Sequence, residues 1–372
     1  MPSLSPELLK QILEEARFAS SGDNIQPWLF KMYPDHSLVL HRNEPENLLA
    51  SDYFLNASFV ALGCILENVA IASEHYGFSS TVVIHEDCVS DETPQATIHF
   101  IPTTLSAEQQ ESNERLFQVM CKRHTDRRPY KKQPLDDTTK RLFEKTALEG
   151  GGKLHLIEGE EMLDAFGKTL GSHDTYLWND ATLRDNLIRF IHFSQSNHSA
   201  TSGMPLDTLG LGTLSIFFKT AILLAYRIPL LWKVICFASR FGTQKTLSAS
   251  SALVFLTLPK QKIQTSPLSD TPTKDLVRGG RIAERLWLLA ETLGLSLQPQ
   301  YAFVAMAHNA GNEKLGQSFL SANKKIIAFL RSHCPWFEKE SLVFAYRIGF
   351  VVSKKRASTT ERKSVEEILW HT

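Results

Sequence analysis

The chain has 372 residues, more than a single hydrophobic core usually supports, so its length favours two domain-sized units. Lysine plus arginine and aspartate plus glutamate number 40 each, which gives no overall electrostatic attraction to nucleic acid or to an anionic membrane. With 43% apolar and 22% charged residues, the composition excludes a disordered or fibrous chain. The five cysteines are odd in number and form no C-x-x-C pair, which predicts buried, reduced thiols.

The amino-terminal part predicts helices and strands in mixed order. Ser5 and Pro6 are typical of a helix start, and no cationic segment leads into an apolar leader, which favours a cytoplasmic protein. Periodicity predicts a helix at 8–19, strands at 28–33 and 38–41, an apolar helix at 57–76 closed by Gly77, and strands at 81–85 and 97–101. The polar stretch 102–113 is the best candidate for a linker.

A similar order follows the linker. The pattern predicts a helix ending near Arg123, a helix at 138–148, strands at 154–157 and 252–258, an apolar helix at 280–292 closed by Gly294, and a strand at 341–352. The two glycine-closed apolar helices indicate a duplication. We therefore predict an α+β fold of two pseudo-repeats, each a mainly antiparallel sheet packed with helices, at 1–112 and 113–372, with a helical, lid-like insertion at 194–246.

Segment 209–238 is the only stretch that the sequence offers as a membrane span. Lys219, Arg227, Pro229 and Lys233 interrupt it before about 20 apolar residues accumulate, so we predict no span. The cations fall in one sector of a helical projection and leave a broad apolar face. This pattern favours a helical pair packed on the core or covering a pocket over a helix at a membrane surface.

The segment A-S-S-G-D-N-I-Q-P-W, at 19–28, lies between a predicted helix and a predicted strand. Ser20 and Ser21 leave backbone N–H groups open at a turn, and Asn24 and Gln26 add amides that can donate and accept. Such a loop can line a polar, planar ligand. A helix terminus that only caps backbone groups, with Trp28 in the core, is the alternative.

A basic segment, C-K-R-H-T-D-R-R-P-Y, occupies 121–130. Arg123, Thr125 and Arg127 alternate, so in extended chain their side chains point to one side. Two guanidinium groups and a hydroxyl suit a phosphate dianion. A solvated basic turn is the alternative; a nucleic-acid patch at 122–132 would lack any recognised binding module.

Together these two segments resemble the FMN-dependent nitroreductase superfamily. The first is similar to its S-S-x-N-x-Q-P-W loop, and R-H-T-D-R is similar to its R-x-S-x-R phosphate motif. The chain is most similar to the Acg-like branch, in which two nitroreductase-like halves are fused. In ordinary members the arginine motif precedes the loop, whereas here the order is reversed. The first half has the loop and lacks the arginine motif, and the second half has the arginine motif and lacks the loop. The resemblance therefore implies one FMN site per chain, between the halves, and a protein that functions as a monomer.

The resemblance implies further contacts to FMN. Lys245 would lie near the pyrimidine edge and stabilise an anionic reduced flavin, and Arg362 or Arg356 would bind the phosphate. Tyr301 and Ala302 stand where the family has Glu-Gly, whose backbone is aimed at flavin N5. The residues assigned in this way to cofactor binding are Ser20, Ser21, Asn24, Gln26, Arg123, Thr125, Arg127, Lys245, Gln298, Pro299, Arg356 and Arg362.

The implied activity is ping-pong hydride transfer from NAD(P)H through FMN N5 to an unknown small acceptor, with no side chain acting as acid or base. The alternative is a flavin-sequestering protein whose insertion covers the cofactor and prevents turnover. The sequence has no H-E-x-x-H, G-x-S-x-G or P-loop motif, so we predict no metal site and no hydrolase or nucleotidase chemistry. We also predict no nucleic-acid partner.

Overall fold

The structure, a computed structural model, describes residues 4–43, 55–85, 93–193, 201–260, 272–309, 316–353 and 357–370. Within these ranges the chain forms two four-stranded sheets in which every neighbouring pair of strands is antiparallel. Helices pack against both sheets, which confirms the predicted α+β class.

The first sheet follows a short amino-terminal helix. The Ser5 hydroxyl accepts a hydrogen bond from the Leu8 N–H, and Pro6 occupies the first turn, as expected for a helix start. Gly77, with φ of +85°, ends the long apolar helix as predicted. The elements are α1 (Pro6–Ala16), β1 (Trp28–Met32), β2 (Leu38–Arg42), α2 (Leu55–His75), β3 (Phe78–Ile84) and β4 (Pro94–Pro102), and the strand order is β1-β2-β4-β3.

The second sheet repeats this arrangement. Its elements are α4 (Asp137–Glu149), β5 (Lys153–Ile157), β8 (Ala252–Pro259), α9 (Thr273–Thr292), β9 (Ser296–Pro299) and β10 (Glu340–Gly349), and its strand order is β5-β8-β10-β9. In each sheet the first strand lies at an edge, and a long helix joins the second strand to the third. Gly294, with φ of +68°, ends the long helix. The same strand order in both sheets is what a duplicated chain predicts.

The segment without a counterpart in the first sheet is longer than the predicted insertion at 194–246. It lies between the first two strands of the second sheet and holds α5 (Glu160–Asn179), α6 (Ala181–Arg189), β6 (Ile191–His192), β7 (Met204–Pro205), α7 (Ser215–Ala225) and α8 (Leu231–Ser248). Helix α8 packs closely on α5, because a Cβ on Gly167 would lie 2.9 Å from the Gln244 Cα. Beyond this segment, α10 (Ala302–His308), α11 (Gly316–His333) and α12 (Val365–Ile368) complete the described helices.

The predicted linker at 102–113 is largely helical. Helix α3 spans Ala107–Phe117, and the Ser106 hydroxyl and the Gln109 side chain form a reciprocal capping box at its start. The proposed boundary between residues 112 and 113 therefore falls inside a helix. Polarity alone indicated a linker because most of this helix faces solvent.

The two long helices α2 and α9 pack against each other at the backbone. A Cβ on Gly63 would lie 2.0 Å from the Val277 carbonyl oxygen, and one on Gly280 would lie 2.0 Å from the Val60 carbonyl oxygen. Glu67 of α2 accepts hydrogen bonds from Arg281 and Arg285 of α9. One continuous hydrophobic core includes residues of both sheets and both helices. Either long helix thus completes the core of the other half.

Among the described helices, the one at Asn56–His75 is long and apolar enough to cross a membrane. In its apolar stretch of 18 residues, 94% is buried inside the protein. The expectation that 209–238 is the only such stretch was therefore wrong. That stretch instead folds as parts of two shorter helices, α7 and α8, with a turn between them.

Candidate functional site

The loop between α1 and β1 has an unusual backbone. Asp23, Asn24 and Gln26 have φ of +47°, +58° and +53°, in the left-handed region that non-glycine residues rarely adopt. The buried Gln26 amide holds this conformation, since its Nε2 donates to the carbonyl oxygens of Asn24 (3.1 Å) and Thr201 (2.5 Å). Its Oε1 accepts from the Lys363 N–H at 2.9 Å. A strained loop that is held by several partners is typical of a functional site.

The arginine segment runs along the edge of the second sheet. The Asp126 N–H donates to the Leu297 carbonyl of β9 at 3.1 Å, and the Tyr130 hydroxyl donates to the Asp126 carbonyl at 2.7 Å. Although burial opposes it, hydrogen bonds from Arg128 and His124 hold the pKa of Asp126 well below its usual value. The alternating residues Arg123, Thr125 and Arg127 border a cavity, and so does His124.

The carboxy-terminal segment returns to the first half. The Trp370 N–H donates to the Phe30 carbonyl at 2.7 Å, next to a parallel bridge between Phe30 and Leu369 at the β1 edge. The Arg362 Nη1 donates to the Asn24 Oδ1 at 2.6 Å. The loop, the arginine segment and this return therefore meet in one place.

Their meeting point is a polar chamber of about 670 Å³. Burial, and secondly the neighbouring Arg123 cation, lower the pKa of Arg362 to about 9. Burial also lowers the pKa of Arg127. Both shifts disfavour the charged form, chiefly because the guanidinium groups are buried. The lining residues are Phe18, Ser20, Ser21, Asp23, Asn24, Cys121, Arg123, His124, Thr125, Arg127, Met204, Thr208, Ser358, Thr359, Thr360 and Arg362.

A second chamber, of about 880 Å³ and mainly apolar, adjoins the first. The two chambers share Ser20, Ser21, Asp23, Thr125 and Arg127. The remaining walls of the apolar chamber come from α2, α9, β9 and β10, through Gly22, Ala57, Val60, Ala61, Cys64, Trp287, Gln298, Pro299, Tyr301 and Phe344. Together the chambers form one cleft with a basic end and an apolar end.

A buried glutamate that the sequence analysis missed connects three parts of the cleft. Glu284 of α9 is fully buried, accepts from the Ser20 hydroxyl at 2.6 Å, and lies 3.2 Å from the Arg123 Nε. The Arg123 guanidinium also lies over the Trp287 ring, 4.5 Å from its centroid, and donates to the Phe18 carbonyl at 3.1 Å. A glutamate within the apolar run I-A-E-R-L-W was the available signal.

Arg347 of β10 was also missed. It is fully buried, donates to the Gln298 Oε1 at 2.6 Å and to the Arg128 carbonyl at 2.8 Å, and lies over the Tyr130 ring at 3.8 Å. It therefore holds the arginine segment against β9. An arginine inside the apolar strand V-F-A-Y-R-I-G was its signal.

Some of the predicted site residues lie elsewhere. Gln26 lines neither chamber and supports the loop instead. Lys245 is exposed on α8 and lines neither chamber, because the buried face of that helix is turned toward α5. Arg356 lies outside the described residues. Cys121 is exposed and borders the polar chamber, contrary to the expectation of buried thiols, which Cys64 and two other described cysteines satisfy.

Residues 201–210, which we call the strap, cover part of the polar chamber. The Thr201 carbonyl accepts from the amides of Asn24 and Gln26, and the Thr208 carbonyl accepts from the Arg127 Nη1 at 3.2 Å. The Arg127 Nη2 contacts the Met204 sulfur at 3.1 Å. Helices α7 and α8, which were expected to form a lid, contribute no lining residue to either chamber.

The known proteins that match the chain have low sequence identity to it. No protein-family model matches the chain. The uncharacterized protein MT1398 of Mycobacterium tuberculosis is 25% identical over 296 residues, which are 79% of this chain and 39% of that protein. The chain thus spans well under half the length of the curated relative that it matches.

Several solved structures have a low overall similarity to the chain. A nitroreductase with bound FMN from Desulfitobacterium hafniense is 11% identical with a TM-score of 0.35, over 66% of this chain and 94% of that one. The FMN-dependent nitroreductase NfnB from Mycobacterium smegmatis, in complex with NADPH, is 14% identical with a TM-score of 0.34, over 70% of this chain and 98% of that one. Similarities of this size do not establish a family, so the functional assignment depends on the site.

Proposed function

We propose that the chain is an FMN-binding oxidoreductase of the nitroreductase type, a fused pair of nitroreductase-like halves with one flavin site between them. The observation that carries the proposal is the meeting of two segments far apart in sequence, the serine-rich loop and the arginine segment, around one cleft. A basic chamber joined to an apolar chamber suits a ligand that is phosphate at one end and a flat ring system at the other.

The polar chamber fits a phosphate group. The Arg362 Nε is buried without a hydrogen-bond partner among the described residues. Arg123, Thr125, Arg127 and Arg362 would hold the phosphate, because guanidinium groups match its oxygens and a hydroxyl adds a donor. Asn24 would orient Arg362 through the hydrogen bond between them.

The apolar chamber fits the ring system of the same cofactor. The side chains that α2 contributes to its wall, those of Ala57, Val60 and Ala61, are small and leave room for a flat group. The Tyr301 hydroxyl is buried without a described partner and would donate to a polar edge of the ring. Ser20, Ser21, Gln298 and Pro299 would contact the ring from the two halves.

Bound FMN would supply hydride transfer at N5, from NAD(P)H to a small acceptor, in ping-pong order. The chain would bind, orient and exclude water, and we assign no side chain as acid or base. Because both walls of the cleft belong to one chain, we propose that the monomer is functional. We propose no role for nucleic acid.

The proposal is tested by purifying the protein, removing any bound cofactor, and titrating it with FMN and with riboflavin. We expect a yellow complex with one FMN per chain and much weaker binding of riboflavin, which lacks the phosphate. A protein that binds neither, or that binds both equally, would contradict the assignment of the polar chamber.

Flavin sequestration without turnover is the second candidate, and the strap favours it because the strap already covers the Arg127 end of the cleft. Anaerobic stopped-flow mixing of the FMN complex with NADPH or NADH separates the two functions. Rapid bleaching of the flavin absorbance supports the oxidoreductase, whereas a complex that stays yellow supports sequestration.

A further inference from the structure

The hairpin of α7 and α8 has two different faces. Its inner face packs on α5 and α6 through a small hydrophobic cluster that includes Trp178, Ile222, Trp232 and Ile235. This agrees with the sequence analysis, which favoured a helical pair packed on the core. No described residue buries the outer face of the same hairpin, and this face is strongly apolar.

The exposed apolar side chains of the protein are concentrated on this outer face. Eleven of the nineteen large apolar side chains that are exposed among the described residues lie between Leu214 and Phe241. On α7 and on α8 they recur at the spacing of one helical face, and they continue around the turn between the helices. They are Leu214, Ile216, Phe217, Leu223, Leu224, Tyr226, Ile228, Leu230, Val234, Phe237 and Phe241.

The hairpin is firmly attached to the rest of the protein. The Asp174 carboxylate of α5 accepts from the hydroxyls of Ser239 (2.9 Å) and Thr243 (2.5 Å) of α8. Gly171 of α5 lets α8 approach, because a Cβ there would lie 2.7 Å from the Arg240 side chain. The outer face therefore belongs to an ordered, anchored element, and burying it requires a partner outside the described fold.

The charge of the hairpin indicates what this partner is. The sequence has no aspartate or glutamate from 208 to 269, although the whole chain is neutral. The hairpin itself carries five cations, Lys219, Arg227, Lys233, Arg240 and Lys245. The carboxylates of Asp164, Asp174 and Asp185 contact the hairpin from α5 and α6, and the five cations outnumber them. Two copies of such a surface would repel each other, whereas apolar side chains combined with an excess of cations suit an anionic lipid surface.

We propose that the α7–α8 hairpin docks on the surface of an anionic lipid bilayer without crossing it. The outer apolar side chains would enter the boundary between headgroups and acyl chains, and the exposed cations Arg227 and Lys233 would lie at the level of the lipid phosphates. Lys219 is not among these cations, because its Nζ donates to the Phe193 carbonyl at 2.9 Å. Since the helices of the hairpin line neither chamber of the cleft, this proposal is independent of the flavin assignment.

The test is co-sedimentation of the full chain with vesicles of phosphatidylcholine alone and of phosphatidylcholine mixed with phosphatidylglycerol. We expect binding to the mixed vesicles that weakens as salt is raised, and much weaker binding to the neutral ones. The double variant Phe217→Ser/Phe237→Ser should lose binding. The double variant Arg227→Ala/Lys233→Ala should bind roughly 30-fold less tightly, at about fivefold per cation.

A matched control is Leu148→Ser on α4, since Leu148 is 68% exposed and Phe237 is 72% exposed. This variant should bind mixed vesicles as the unaltered chain does, and circular dichroism should show that all variants are folded. Equal binding to both kinds of vesicle, or loss in the control, would overturn the proposal. So would self-association that the Phe217→Ser/Phe237→Ser change abolishes while vesicles remain unbound.

Discussion

Three guanidinium groups, of Arg123, Arg127 and Arg362, line the polar chamber, and Asp23 is the only carboxylate among its described lining residues. Glu284 neutralises Arg123 from behind. Burial raises the pKa of Asp23, and the Arg127 cation opposes this shift. The cationic side chains of the chamber therefore favour the binding of an anionic group.

Replacing Arg127 with alanine should weaken FMN binding roughly 10- to 100-fold, which corresponds to about 1.5–3 kcal/mol for hydrogen bonds to a charged group. Riboflavin binding should hardly change, because riboflavin has no phosphate. Fluorescence titration measures both. The control is Lys122→Ala, which removes an exposed cation of the same segment that lines neither chamber. Equal losses for both ligands would place Arg127 away from the phosphate.

The low pKa of Arg362, about 9, predicts a pH dependence. As pH rises through about 9 the unliganded chamber loses this positive charge, so FMN affinity should fall over that interval relative to riboflavin affinity. Stability should change in the opposite direction. The unfolded chain keeps the proton that the folded chain releases, so the unliganded protein is stabilised as pH rises. FMN titration and denaturant unfolding across this pH range measure the two effects in the unaltered chain and in Arg362→Gln. Both pH dependences should be weaker in the variant. If the difference between the two proteins does not change with pH, the assignment to Arg362 is contradicted.

The sequence predicted that Ser20, Asn24, Arg123 and Arg127 meet, because two complementary motifs implied one shared cleft. It could not predict Glu284, whose importance appears only when its distant partners are known. Lys245 was assigned from its position in the resemblance alone, and it lies exposed in the last turn of α8, outside both chambers.

The strands of both sheets and the two glycine-closed helices were predicted, since alternation and glycine termination are local signals. The helices of the insertion were predicted less well. Helix α5 contains Gly167 and Gly171, which lower helix propensity but permit the close approach of α8. Helix α3 was taken for a linker because its exposed surface is polar. In α5 tertiary packing outweighs the low helix propensity, whereas α3 begins with a local signal, the Ser106–Gln109 capping box, that polarity alone does not reveal.

The α2–α9 contact predicts the effect of adding one methyl group. Gly63→Ala should destabilise the protein by about 3 kcal/mol or more, because the new Cβ would meet the Val277 carbonyl oxygen and the backbones would have to separate. Gly242→Ala on α8 is the control. A Cβ there meets nothing within 4 Å, so this change should stabilise slightly through helix propensity. Urea unfolding measures both, and a neutral Gly63→Ala would show that the helices can move apart.

The two sheets share one core, so the division at residues 112 and 113 does not separate independent units. We predict that a fragment of residues 1–112 does not fold alone, because α2 would expose the face that α9 covers. Calorimetry and circular dichroism should show no cooperative transition for the fragment and a cooperative transition of the shared core for the whole chain. A fragment that melts cooperatively would contradict this prediction.

The return of the carboxy-terminal segment to the first sheet has a consequence for synthesis. Arg362 closes the polar chamber, yet the ribosome makes it only after every strand of both sheets. During translation the serine-rich loop and the arginine segment are made first, and the chamber that they line stays open until Arg362 is added. Any anion that the chamber retains is therefore captured only after the strands of both sheets have been made.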